Sequence, residues 1–134
     1  MTFAAGAAGS KPVKSISGCI MSIKVLVAED GEGMRRALSM LLTDREEIAI
    51  IGEARSLPEA YRKTVKLKPD VVVFDLHMSK GVAVPFPSGS KVLAISFTSD
   101  RDAQALANDI GATRLLDALS LSTELVPAIL QMSN

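Results

Sequence analysis

The sequence predicts an α/β fold: one doubly wound, five-stranded parallel sheet over residues 22–134, preceded by a disordered tail over residues 1–21. Two observations carry this. Short, nearly all-apolar runs alternate with segments whose apolar residues recur at helical spacing. The apolar runs also lack polar alternation, so both faces of the sheet are covered, which is the habit of parallel sheets. No internal repeat or second domain is visible.

Each element follows in order. Ile23 to Ala28 (IKVLVA) is a β-branched, buried strand, closed by the polar break Glu29-Asp30-Gly31-Glu32-Gly33. Met34, Ala37, Leu38, Leu41 and Leu42 then mark one face of a helix. Ile48 to Gly52 is the second strand. Ser56 and Glu59 have capping-box spacing, with Pro58 in the first turn, and open a helix that Lys68-Pro69 ends near Leu67. Val71 to Phe74 is a wholly apolar third strand running into Asp75, and Lys91 to Ser96 is the fourth. Ser99 caps a helix with Ala103, Leu106, Ala107 and Ile110 inward and Gly111 as its stop. Thr113 to Leu116 is the fifth strand. A last helix spans Ser122 to about Gln131, with Pro127 expected to kink or weaken it.

One connection breaks the rule. Leu76 to Ser90 carries Gly81, Pro85, Pro87 and Gly89, residues that oppose a helix. An extended crossover with at most one helical turn is expected there, with the third helix shortened or missing. That face of the sheet is expected to be thinly covered.

Composition narrows the function. Fifteen acidic and fifteen basic residues give a net charge of zero, and aromatic residues make up 4% of the chain with no Trp. Neither a basic footprint nor base-stacking platforms for nucleic acid are present. The apolar runs are too short to span a bilayer. One cysteine, Cys19, excludes an intramolecular disulfide and fits a reducing, cytoplasmic setting. Ile16-Ser17-Gly18-Cys19 has the outline of a lipoprotein cleavage site, but no apolar stretch precedes it, so a chance match is preferred. Met21, just ahead of the first strand, is a second candidate start.

Ligands of open parallel sheets collect beyond the carboxyl ends of the strands. Those ends carry Glu29 and Asp30, Asp75, and Ser96. A doubly wound order would bring three carboxylates into one pocket, where like charges raise one another's pKa or bind a cation. Hard oxygen donors suit Mg²⁺. Beside it Asp75 could serve as a nucleophile toward a phosphoryl donor, and Ser96 could hydrogen-bond a phosphoryl oxygen. Singly, an acidic pair after a strand is more often a helix-dipole feature and Asp75 a turn residue; the signal is their joint placement. His77, the sole histidine, has no partner at zinc spacing. Gly31-Glu32-Gly33 opens a helix as a dinucleotide fingerprint does, but Arg36 replaces the third glycine and the acidic pair would repel a pyrophosphate.

The stretches IKVLVAED, PDVVVFDLHM, KVLAIS and GATRLLD together resemble the receiver domain of bacterial response regulators, over roughly residues 22–132. The resemblance implies a flavodoxin-like receiver of a two-component phosphorelay, a phosphoacceptor and not an enzyme acting on other substrates. It implies Asp75 as the phosphorylated residue and Mg²⁺ held by Asp30 and Asp75, by Glu29 through water, and by the backbone carbonyl of His77. Ser96 matches the hydroxyl that turns toward the phosphoryl group. A histidine kinase or phosphotransfer protein would be the donor, with a further protein downstream.

The sequence also departs from that pattern. Ser79 stands where the family has Pro, Phe97 where it has a small residue, Ala118 where it has the phosphoryl-binding Lys, and Leu115 at the aromatic switch position. Lys80 is a candidate substitute for the lost cation. The alternative function is a pseudo-receiver: an interaction module that works through the helix after the fourth strand, the fifth strand and the last helix, without phosphorylation.

Overall fold

The computed structural model describes residues 14–16, 19–79, 84–87, 89–98 and 101–133. In chain order the elements are β1 (Lys14–Ile16), β2 (Cys19–Met21), β3 (Ile23–Ala28), α1 (Glu32–Thr43), β4 (Ile48–Ala54), α2 (Leu57–Leu67), β5 (Val71–Asp75), β6 (Lys91–Ser96), α3 (Arg101–Asp109), β7 (Arg114–Asp117) and α4 (Leu121–Met132). Short 3₁₀ turns follow β5 (Leu76–Ser79) and β7 (Ala118–Ser120). No described helix is long and apolar enough to cross a membrane.

Five strands form one parallel sheet in the order β4-β3-β5-β6-β7. This is the doubly wound arrangement expected, with β3 and β5 adjacent at its centre. Alternate residues of each strand face opposite layers. Val25, Val27, Val71, Val73, Leu93 and Ile95 pack under α1 and α4 against Leu38, Leu42, Leu125 and Ile129. Leu26, Ala28, Val72, Phe74, Val92 and Ala94 face α2 and α3, against Ala60, Ala103 and Ala107.

The helix ends obey local chemistry. Ser56 Oγ accepts from the Glu59 amide at 3.3 Å, and the Glu59 carboxylate reaches back to the Arg55 amide at 2.7 Å, a reciprocal cap. Lys68 ends α2 in the left-handed region at φ 51°. Gly111 follows α3 at φ 77°, where a side chain would be strained. The helix α4 runs through Pro127 from Leu121 to Met132. Ser99, the expected cap of α3, lies outside the described residues.

Some expectations need correction. Two strands differ in extent: β4 continues to Ala54, because Glu53 and Ala54 pair with Val27 and Ala28, and β7 is shifted to Arg114–Asp117. In β4 the register skips Ile51, a bulge, and next to it Gly52 is pressed against α2: a Cβ there would lie 2.9 Å from Leu67 Cδ1. Within the stretch read as a tail, the described residues 14–16 and 19–21 pair antiparallel as β1 with β2 and not with the main sheet.

Among the described residues no α-helix stands between β5 and β6, yet that sheet face is not thinly covered. Leu26, Val72, Phe74 and Ala94 are all fully buried. After the single 3₁₀ turn, the crossover sends Phe86 inward, and its ring meets Tyr61 edge-on at 4.6 Å and Phe74 at 5.2 Å between centroids. Pro85 and Pro87 on either side fix φ and favour extended backbone. The Phe86 amide donates to Ile110 O at 3.2 Å, and Tyr61 Oη donates to Val84 O. One aromatic side chain thus fills the place of a helix. Phe86→Ala should therefore cost about 3–5 kcal/mol, as for other buried Phe truncations. Urea unfolding of the two proteins checks this; a loss below about 1 kcal/mol would mean the crossover is not part of the core.

Candidate functional site

Ala28 and Asp75 end neighbouring strands, so the residues that follow β3 and those that close β5 share one rim of the sheet. Glu29, Asp30 and Asp75 each offer a carboxylate oxygen there, all within 4.8 Å of one another. Glu29 and Asp75 are buried and Asp30 is exposed. The three acids chosen from sequence therefore do meet.

Glu29 is held from all sides. Its amide donates to Ala54 O at 2.9 Å, and its carboxylate accepts from the Gly31 amide at 3.0 Å. Its carbonyl accepts from Arg35 Nη1 at 3.0 Å. Arg35, buried on the first turns of α1, is itself fixed by Glu53 Oε1 at 3.1 Å from Nε. Sequence reasoning missed Arg35. Its position in a polar-looking helix start gave no sign that it turns inward beneath the acidic pair.

Burial is the largest influence on the Glu29 carboxyl; the hydrogen bond to Asp75 acts in the same direction and the Gly31 amide opposes both. Together they raise its pKa from 4.5 to about 8. Near neutral pH Glu29 therefore keeps its proton.

Asp75 accepts from the His77 amide at 2.9 Å, so the 3₁₀ turn orients the carboxylate through backbone. The His77 side chain is exposed, and it is the amide of this residue that faces Asp75. Ser79 is buried and closes the turn by donating to Leu76 O at 2.8 Å. A hydroxyl-bonded turn thus stands where the family pattern has proline.

Asp75 and Ser96 line a common cavity of about 210 Å³, and Phe97, 58% exposed, stands in its wall. The Ser96 hydroxyl is already engaged: it donates to Thr98 O and accepts from the Thr98 amide at 3.0 Å. It would have to leave this turn to reach another acceptor. Thr98 was not singled out from sequence. The spacing Ser96-x-Thr98 was the available signal, since a serine hydroxyl commonly bonds the backbone two residues on. Ala118 begins the turn after β7 and carries no donor on its side chain, and Leu115 is partly buried against the α2/α3 layer. Lys80 lies outside the described residues.

No family model matches the sequence. The chain is 45% identical over 56 residues to a protein-glutamate methylesterase/protein-glutamine glutaminase of Bacillus subtilis (strain 168), covering 42% of this chain and 16% of that protein. It is 32% identical over 90 residues to the response regulator protein VraR of Staphylococcus epidermidis, covering 61% of this chain and 43% of the relative. Over both, the chain accounts for less than half of the relative's length. Among solved structures, the signal receiver domain of the response regulator NarL from Mycobacterium tuberculosis superposes with a TM-score of 0.74 at 24% identity, covering 84% of this chain and 96% of that one. The response regulator domain of Thermotoga maritima CheB gives 0.69 at 23% identity, covering 85% and 98%. The chain has the fold of these response-regulator receiver domains, with the flavodoxin-like architecture expected.

The elevated Glu29 pKa fixes a pH dependence. The folded state binds a proton that the unfolded chain releases near 4.5, so stability falls as pH rises from about 4.5 to 8 and levels off beyond. In chelator-treated protein the melting temperature should drop across this window. Glu29→Gln should flatten the slope, and Mg²⁺ should raise the melting temperature most at the alkaline end. A parent profile that stays flat from pH 5 to 8 would contradict the shift.

Proposed function

We propose that the chain is the phosphoacceptor receiver of a two-component phosphorelay, with Asp75 as the residue modified. The observation that carries this is the meeting of the Glu29, Asp30 and Asp75 carboxylates within 4.8 Å at the sheet rim, beside a cavity shared with Ser96. A buried proton-sharing pair of carboxyls next to an exposed third suits replacement of the proton by a divalent cation.

Asp30 and Asp75 would bind Mg²⁺ directly, Glu29 through water, and the His77 carbonyl would add a neutral oxygen. When bound, the ion supplies charge neutralisation for the incoming phosphoryl group. The remaining work falls to the protein. The His77 amide, at 2.9 Å, holds one Asp75 oxygen in place. The other oxygen forms a bond to phosphorus as the P–N bond of a phosphohistidine breaks, and the departing imidazole takes a proton from solvent. Ser96, released from its turn with Thr98, would donate to a phosphoryl oxygen. Phe97 narrows the approach to the cavity and thereby selects how a donor enters.

The donor class is a histidine kinase or phosphotransfer protein, and the product a phosphorylated Asp75 read by a further protein. The setting is the cytoplasm, where such kinases present their phosphohistidine. The chain's role is acceptance of the group and not catalysis upon another substrate.

Acetyl phosphate with Mg²⁺ tests the reading without the kinase. The parent should gain a slower band on a phosphate-affinity gel and the mass of one phosphoryl group. Asp75→Ala and chelation should each abolish both. A parent that shows no Asp75-dependent gain at any Mg²⁺ concentration rejects phosphoacceptance and leaves the interaction module in its place.

A further inference from the structure

We propose that Arg101, at the first turn of α3, supplies the positive charge that faces the phosphoryl group on Asp75. The inference rests on the reading of Asp75 as the modified residue and extends it to the recognition of the group once attached.

Charge balance raises the need. Phosphorylation turns the Asp75 carboxylate into an acyl phosphate of about two negative charges near neutral pH, set beside Glu29 and the ionised Asp30. One divalent ion does not neutralise the ensemble, and a charge-assisted donor is the usual remedy. The chain after β7 gives none, because Ala118 begins the next turn. A cation must come from elsewhere on the rim.

The described cations are few there. Arg35 is committed to the Glu29 carbonyl and to Glu53. Arg55 follows β4, the outer strand, and β3 lies between it and β5. Lys91 begins β6 at the opposite rim, and Arg114 is bonded to Gln131 at 2.7 Å. Arg101 is the one placed beside the site. The next two residues of α3, Asp102 and Ala103, line the same cavity as Asp75. Arg101 itself lines the adjoining groove with Ser96, Thr98 and Asp117. Ser96 and Thr98 belong to both walls, so the groove that Arg101 lines adjoins the Asp75 cavity along the Ser96–Thr98 turn. Arg101 is exposed, and it forms no ion pair among the described residues, whereas Arg35, Arg36 and Arg45 do.

The same geometry explains how the contact would depend on modification. Ser96 closes the turn by its bonds to Thr98. When the hydroxyl moves to a phosphoryl oxygen, the turn opens on the side where Arg101 sits. Asp117, at the end of the neighbouring strand, lines the same groove as Arg101.

Beryllofluoride with Mg²⁺ mimics the attached group and gives a binding constant by calorimetry and a ¹⁹F NMR signal, without a phosphodonor. Arg101→Gln should weaken beryllofluoride binding about tenfold or more, while Mg²⁺ affinity in its absence and the melting temperature stay as in the parent. Arg101→Lys should restore most of the loss. Unchanged beryllofluoride affinity in Arg101→Gln overturns the proposal. So does a loss that appears in Lys80→Gln instead, which would assign the charge to the crossover. A parent that binds no beryllofluoride, behaving as Asp75→Asn, defeats the phosphoacceptor reading itself and is thereby distinguished from failure of Arg101 alone.

Discussion

Two carboxyl groups, on Glu29 and Asp75, are buried side by side where β3 and β5 end. Nothing in an apolar core favours such a pair. Desolvation and mutual repulsion both act against it, and the protein answers by keeping a proton on Glu29 until pH about 8. A hydrogen bond between the two then stands in for the electrostatic repulsion that full ionisation would bring. The arrangement costs stability at alkaline pH, where the burial of a second charge is no longer avoided. Destabilised local features of this kind mark sites kept for function and not for folding.

The rest of the fold can be understood as what holds that pair in place. The parallel sheet supplies adjacent strand ends, and its two apolar layers make the rim rigid. The Ala54 carbonyl and the Arg35 guanidinium grip the Glu29 backbone, which fixes the point from which its side chain leaves the strand end. Glu53 neutralises Arg35 on the outer side, which keeps the buried cation from being a second unpaired charge. On the Asp75 side, the 3₁₀ turn does the same with one amide and one serine hydroxyl. Phe86 supports this from beneath through Phe74, the residue that immediately precedes Asp75.

What was legible in the sequence follows from range. Strands such as Val71–Phe74 announce themselves because burial on both faces demands uninterrupted apolar residues, and Ser56 with Glu59 marks a helix start by local chemistry. The acidic trio was legible because strand ends are fixed once the strands are. The hidden parts depend on side chains that meet across the chain. Arg35 turns inward only because Glu53 lies on the neighbouring strand, eighteen residues away. Phe86 fills a layer only because Tyr61 and Phe74 leave a gap of its shape, and a loop rich in proline gives no periodicity to reveal that. Ser96 was chosen for its hydroxyl, yet the hydroxyl is held by Thr98, a detail that needs backbone geometry. Glu53 and Ala54 extend β4 because their partners on β3 continue, a tertiary effect outside any local pattern.

The rim divides into two unlike halves. The half built by β3 and β5 holds the acidic trio, with the Glu29 and Asp75 carboxyls each bonded by a backbone amide. The half built by β6 and β7 carries a serine bound within its own turn, Ala118 with no polar side chain, and Leu115 partly buried against the α2/α3 layer. Side chains in a close-packed layer do not change position by degrees; they have one arrangement or another. Leu115 and Ala118 have no polar group that a new charge at Asp75 could pull on, so the second half can respond chiefly through the Ser96–Thr98 turn. A charge placed on Asp75 would therefore be felt first in the loop that leads into α3, and only through that helix by the groove against β7. The direction of coupling is set by which residues can form a new hydrogen bond, and on this rim those residues stand between β6 and α3.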